Sequence, residues 1–201
     1  MVVLGLVHPK RIKRNADARV GDRLILGKPL GVGVLSAALK KNALSPEGYA
    51  QMVANTTQLN TPGAALSHLA GVHAMTDVTG FGLAGHALEM ARGSHHTVRL
   101  NMGQVPLLQG VREWVAQGML TGASGRNWSA YGDEIDMAPE RDAIDQALLS
   151  DPQTSGGLLV ACAPESVAEV LSVFHQEGFE QACEVGEILA ATTNGIRLQV
   201  R

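Results

Sequence analysis

The sequence predicts an α+β domain in which a mixed β-sheet is covered by helices. Three observations predict it. Strand-like and helix-like stretches follow one another without strict alternation, and no segment repeats. The chain closes on two strand-like runs joined by an Asn-Gly turn. Apolar residues make up 45% of the 201 positions but aromatic ones only 3%, so the core has to be built from Val, Leu, Ala and Met. The length suits one large domain, or a domain with a piece of another. No apolar run approaches the roughly 18 residues that a membrane helix needs. Met1–Val7 lacks the basic head of a signal peptide. Cys162 and Cys183 give neither a disulfide framework nor metal-ligand spacing. Together these features predict a soluble, cytoplasmic protein with no membrane partner.

In chain order, Val2–Val7 reads as a buried strand stopped by His8-Pro9, and residues 10–21 read as a polar linker. Arg23–Gly27 is strand-like, and Lys28-Pro29-Leu30-Gly31-Val32-Gly33 opens a helix through Leu35, Leu39 and Lys41. That passage lacks the third glycine of a dinucleotide fingerprint, where Ser36 stands, and no acid-tipped strand follows, which excludes a dinucleotide site. Ser45-Pro46 and Thr61-Pro62 each pair a cap residue with a proline at the first helical position, predicting two more helices. Beyond residue 96, Thr97–Asn101 alternates as a half-exposed strand, and Leu107–Gln117 is a helix with Trp114 on its core face. Thr121–Gly132, rich in glycine and small polar residues, reads as a long loop that packs Arg126 and Trp128, with a phosphate-facing role open to it. Asp142–Leu149 is helical, Leu158–Cys162 is a strand, and Pro164–Gly178 carries Val167, Val170, Leu171 and Phe174 at helical spacing. Ala182–Leu189 and Gly195–Val200 then form the closing hairpin around Thr193-Asn194-Gly195.

Charge is uneven along the chain, which carries a net −3. Lys10, Arg11, Lys13, Arg14, Arg19, Arg23, Lys28, Lys40 and Lys41 face only Asp17 and Asp22 in the first 41 residues. No aromatics interleave with them to stack on bases, so this basic run reads as a solvated connection and nucleic acid is not an expected partner.

The stretch around which the chain is arranged is Val72–Gly85, an apolar strand that ends in Asp77, followed by Val78-Thr79-Gly80-Phe81-Gly82 and a helix running to Gly93. A helix start offers unpaired N–H groups and partial positive charge to a phosphate. Asp77 at the strand tip is placed to hold a magnesium ion on that phosphate, with Thr79, Gly80 and Gly82 letting backbone and ligand approach. Spacing alone serves equally well a simpler arrangement, in which Asp77 or Thr79 caps the helix and the glycines make the turn. Asp151-Pro152-Gln153-Thr154-Ser155-Gly156-Gly157 precedes a strand and can present backbone N–H groups to an anion, or form only a tight turn. Elsewhere the seven histidines form no metal-ligand pairs, His73 and His86 flank the central stretch and read as packing ahead of a supporting role behind the site, and neither cysteine shows a sign of activation. One carboxylate is part of a magnesium site, and the chain reads as half an enzyme.

Lys28–Gly33, Thr76–Leu83, Gly125-Arg126-Asn127-Trp128 and Asp151–Leu158 occur in the order seen in selenophosphate synthetases (selenide, water dikinases), which the chain resembles over essentially its whole length. Aminoimidazole ribonucleotide (AIR) synthetase, HypE and thiamine-phosphate kinase belong to the same superfamily. The resemblance implies the fold of an AIR synthetase (PurM) C-terminal domain over residues 21–201, with residues 1–20 as the last strand and linker of an absent N-terminal ATP-binding domain. It implies a reaction in which ATP, selenide and water give selenophosphate, AMP and phosphate, with Mg²⁺, in a homodimer of the full-length protein.

On the same resemblance, Asp77 is a metal ligand near the ATP phosphates, and Thr154, Ser155, Gly156 and Gly157 are candidates for phosphate-side backbone. The nucleophilic Cys or selenocysteine, its Lys and the other metal-binding aspartates belong to the N-terminal part, so no catalytic residue is expected in this chain and none of the activity is expected from it alone. Two other readings fit the residues: the same half of another superfamily ATP-using enzyme, and a non-catalytic module that binds nucleotide or a partner.

Overall fold

A computed structural model describes residues 5–201. The strands are β1 (Arg23–Leu26), β2 (Val72–Asp77), β3 (Thr97–Leu100), β4 (Ile135–Met137), β5 (Leu158–Cys162), β6 (Cys183–Leu189) and β7 (Leu198–Val200). The helices are α1 (Val32–Lys40), α2 (Pro46–Thr57), α3 (Pro62–Leu66), α4 (Gly82–Ser94), α5 (Val111–Ala116), α6 (Gly122–Tyr131), α7 (Ala143–Leu149) and α8 (Val167–Gln176).

The strands form one seven-stranded sheet in the order β2-β5-β1-β6-β3-β7-β4. Pairing is antiparallel from β2 across to β3, then parallel from β3 through β7 to β4. This is the mixed sheet that the sequence predicts. It separates two cores. Leu24 and Leu26 of β1 and Leu159 and Ala161 of β5 join the larger one, under α1 and α4. Ile25, Leu158, Val160 and Cys162 point the other way, to Leu66 of α3 and to Val170 and Phe174 of α8. Alternation along a strand sends successive side chains to opposite faces. β5, buried along its whole length, therefore reads as a continuous apolar run.

Three expectations are corrected, and one strand has no counterpart among them. Gly5–Val7, the described part of the predicted strand Val2–Val7, is exposed and has no strand structure; Val2–Leu4 lie outside the described residues. The predicted loop Thr121–Gly132 is the helix α6, capped by Thr121, whose hydroxyl accepts the Ser124 N–H. Its inward residues, Ser124, Asn127 and Tyr131, recur at helical spacing, and tertiary packing overrides the low helix propensity of its glycines.

The closing strands are not a hairpin, because β3 lies between them. The connection is long enough to arch over Thr97, whose hydroxyl donates to Ile196 O at 3.2 Å and accepts the Thr192 N–H at 3.2 Å. Gly195 does take the left-handed conformation that an Asn-Gly turn requires, at φ 82°. Lastly, β4 is too short to leave a periodic signal in the sequence.

Candidate active site

β2 is an edge strand, and its last residue, Asp77, stands exposed opposite Leu158 of β5. The chain leaving β2 runs beside the chain entering β5, with Val78 N–H donating to Gly157 O at 2.9 Å and Gln153 N–H to Thr79 O at 3.0 Å. Two motifs far apart in sequence are thus locked together at one end of the sheet. Their glycines allow this closeness. A Cβ on Gly156 would collide with the Val78 carbonyl, and one on Gly157 with the Lys28 backbone nitrogen.

All eight residues singled out in the sequence meet here, but they do not present the same face. Asp77, Gly80, Thr154 and Ser155 are exposed, and the space beside Gly80 is open. Gly82, Gly156 and Gly157 are buried; Gly82, at φ 71°, fits against the Leu149 carbonyl, where any side chain would clash.

The corner from Thr79 to Gly82 is gripped from behind. Asn127 Nδ2 donates to Gly80 O at 2.8 Å and to Ser150 O at 3.1 Å, while the Tyr131 hydroxyl donates to Phe81 O at 2.8 Å. Burial pushes the Tyr131 hydroxyl up, so it stays a donor. Thr79 Oγ1 lies 3.1 Å from His86 Nε2, and His86 Nδ1 lies 3.0 Å from Glu89 Oε2. Because a carboxylate only accepts, a neutral His86 carries its proton on Nδ1, and Thr79 donates to Nε2. Neither Asp77 nor Thr79 caps α4. Phe81 occupies the N-cap position and makes no side-chain cap bond.

The second motif is anchored to the start of α1. Gln153 Oε1 accepts the Gly31 and Val32 N–H groups, both at 3.2 Å, and Asp151 Oδ2 accepts the Gly33 N–H at 3.0 Å. The N-terminus of α1 is therefore plugged by the protein itself. Burial pushes the Asp151 carboxyl up to about 7, against the pull of Gln153 and of the Val34 and Gly33 N–H groups.

Lys28 corrects the reading of the basic segment as solvated, being only 1% exposed. Its ammonium donates to Asn55 O at 3.0 Å, Gln58 O at 2.6 Å and Ser155 O at 2.7 Å. Burial pushes the amine down to about 8. The one signal for this in the sequence is position: Lys28 follows a buried strand directly and lies outside the polar run of residues 10–21. Asn127 and Tyr131 were hidden by the reading of residues 121–132 as a loop. Arg126, which that reading favoured, is exposed on α6, while Trp128 packs partly buried beside Tyr131.

Among the described residues no group of three or more His, Cys, Asp or Glu side chains could hold a metal ion. Asp77 is a single hard oxygen donor at an open corner, the donor type that magnesium accepts, and by itself it makes no complete metal site.

The family model for the C-terminal domain of AIR synthase related proteins matches residues 19–199. The chain belongs to the AIR synthase related family. The chain is also similar to selenide, water dikinases. It is 62% identical to the one from Burkholderia pseudomallei (strain K96243) over 189 residues, which are 94% of this chain and 53% of that protein. Against the one from Rhizobium meliloti (strain 1021) the identity is 47% over 190 residues, 94% of this chain and 54% of that protein. The chain thus spans about half the length of the curated relatives it matches.

Among solved structures, Escherichia coli HypE aligns with TM-score 0.65 at 21% identity, over 93% of this chain and 49% of that one. Thiamine-monophosphate kinase from Stenotrophomonas maltophilia K279a aligns with TM-score 0.65 at 16% identity, over 96% of this chain and 54% of that one. These likenesses establish the AIR synthase related fold.

Proposed function

We propose that this chain is the C-terminal half of a selenide, water dikinase, in which ATP, selenide and water give selenophosphate, AMP and phosphate. The observation that carries the reading is the convergence of Asp77 with the Thr154–Ser155 corner at one open end of the sheet, held by hydrogen bonds between the two motifs. Identity to dikinases of 62%, against 21% to HypE, supports this class over other ATP-using members of the family.

On this reading Asp77 supplies one carboxylate oxygen to Mg²⁺ carried by the ATP phosphates. When bound there, the metal draws charge from phosphate oxygens. Gly80 leaves room for a phosphate at the uncapped start of α4, whose amides and dipole favour an anion. Thr79 donates its hydroxyl hydrogen bond to His86 and keeps oxygen lone pairs for the ligand side. Gly82, Gly156 and Gly157 bring the backbones close enough to make the corner, and Thr154 and Ser155 form its outer lip.

Residues 21–201 are the C-terminal domain and residues 1–20 lead in from an N-terminal ATP-binding domain. That domain brings the nucleophilic Cys or selenocysteine, its Lys and the remaining aspartates. The full-length protein is a cytoplasmic homodimer. Phe81, 55% exposed beside Gly80, suits a surface that another part of the protein covers.

The test joins this chain to the portion of the Burkholderia pseudomallei relative that it does not match. Asp77→Asn in that protein is expected to lower turnover on the order of 100-fold and to raise the Mg²⁺ required. Unchanged turnover with unchanged Mg²⁺ dependence overturns the assignment. The chain alone is expected to form no AMP from ATP and selenide, and stoichiometric AMP would contradict its reading as half an enzyme.

A further inference from the structure

We propose that Lys28 is a positioning residue, a tethered cation that latches the Ser155 carbonyl to the C-terminal end of α2 and so sets the Thr154–Ser155 corner beside Asp77. The catalytic consequence rests on the proposed function above; the latch itself does not.

Three observations carry it. An ammonium group has three N–H donors, and here each has a backbone carbonyl: Asn55 O, Gln58 O and Ser155 O, at 2.6–3.0 Å. Two of those carbonyls belong to the last turn and C-cap of α2, where carbonyls lack helical partners and the dipole favours a cation. The third belongs to Ser155, held in the left-handed conformation at φ 51°, which a serine adopts only when its surroundings impose it. Replacing the ammonium by a neutral group would leave three carbonyls facing one another with no donor between them. The latch therefore needs the charge and the donors as well as the stem.

The other bonds on the motif act elsewhere. Gln153 and Asp151 tie its beginning to α1, and Asn60 Nδ2 donates to Gly156 O at 2.9 Å. The side chain that fastens Ser155 O is Lys28.

The position is reachable from solvent. A cleft of about 430 Å³ opens on Lys28 between Asn55 and Gln58 of the α2 end and Phe179 and Gln181. Truncating Lys28 to alanine removes three methylenes and the amine, the size of n-propylammonium, and lets that ion enter through the cleft.

The experiment follows amide exchange by NMR in this chain for Lys28→Ala and Lys28→Met. In both, exchange at Val78, whose N–H donates to Gly157 O, and at Gln58, whose N–H donates to Ala54 O, is expected to rise about tenfold more than at β6 amides, which report global opening. In the alanine variant n-propylammonium restores slow exchange, whereas n-propanol and tetramethylammonium do not. In the methionine variant the stem fills the channel and the ion has no effect. Unchanged exchange in Lys28→Met overturns the latch. So does a uniform rise at all amides in Lys28→Ala that n-propylammonium does not reverse, since that is general loss of packing.

The joined two-domain protein separates the two proposals. If turnover of Lys28→Ala falls and n-propylammonium restores it, the latch serves the reaction. If exchange loosens while turnover stays unchanged, the latch stands and the phosphate-side reading of the corner fails.

Discussion

Asp151 shows how a single residue can stand in a conspicuous motif while its own role stays invisible in the sequence. Its motif reads as a phosphate cradle or a tight turn, yet its carboxylate is turned inward, onto the Gly33 N–H 118 positions away. No local pattern reports a partner at that separation. The burial that hides it also makes a prediction. The carboxyl is pushed from its ordinary value of 3.8 up to about 7 in the folded chain. Below pH 4 both folded and unfolded chains hold the proton. Between 4 and 7 the folded chain keeps it while the unfolded chain releases it, so stability falls as pH rises through that window. The whole shift corresponds to about 4 kcal/mol. Asp151→Asn cannot ionise but can still accept from Gly33. In urea unfolding it should therefore gain on the wild type by a few kcal/mol between pH 4.5 and pH 8. A difference that stays flat with pH rules the buried ionisation out. Lys28 was misread for the same reason, because its three acceptors lie 27, 30 and 127 positions away.

At the scale of elements, α6 is where sequence reading failed most and where the site gains most. Gly122, Gly125 and Gly132 argue for a loop, and their propensities are correctly read. What decides the outcome is that Asn127 and Tyr131 find acceptors on the Gly80–Phe81 corner, a tertiary gain that no window of the sequence contains. The closing strands teach the same lesson. Asn194-Gly195 does turn the chain, but which strand lies beside which is set by Thr97 under the arch. By contrast β2, β5, α1 and α8 were legible, because burial on a regular period, or along one unbroken apolar run as in β5, is a local property. If α6 is the clamp, Asn127→Ala leaves the Gly80 and Ser150 carbonyls without a partner and should cost about 1–3 kcal/mol in urea unfolding. Tyr131→Phe gives up one bond and should cost about 1 kcal/mol. Both should speed exchange of the Gly82 N–H, which donates to Thr79 O at 3.1 Å. Slow exchange at Gly82 in both variants would mean that the corner holds itself.

At the scale of the whole molecule, the question is whether two cores on opposite faces of one sheet unfold as one. β5 gives Leu159 and Ala161 to the larger core and Leu158, Val160 and Cys162 to the smaller, so neither can dissolve without stripping a face from the same strand. Phe174 is the test position. It is fully buried in the smaller core, stacks edge-on to Phe179 at 5.8 Å, and fills the space that the missing side chain of Gly27 leaves. Phe174→Ala should destabilise the fold by about 3–5 kcal/mol. Trp114 and Trp128 both pack against the larger core, on the far side of the sheet. Their fluorescence therefore reports the face that the substitution does not touch, whereas far-UV circular dichroism reports every element. A cooperative fold requires the two midpoints to move together. If fluorescence keeps its wild-type midpoint while circular dichroism acquires an earlier phase, the smaller core is a separate unit. The Gly156-Gly157 corner, which leads straight into β5, would then owe its geometry to the larger core alone.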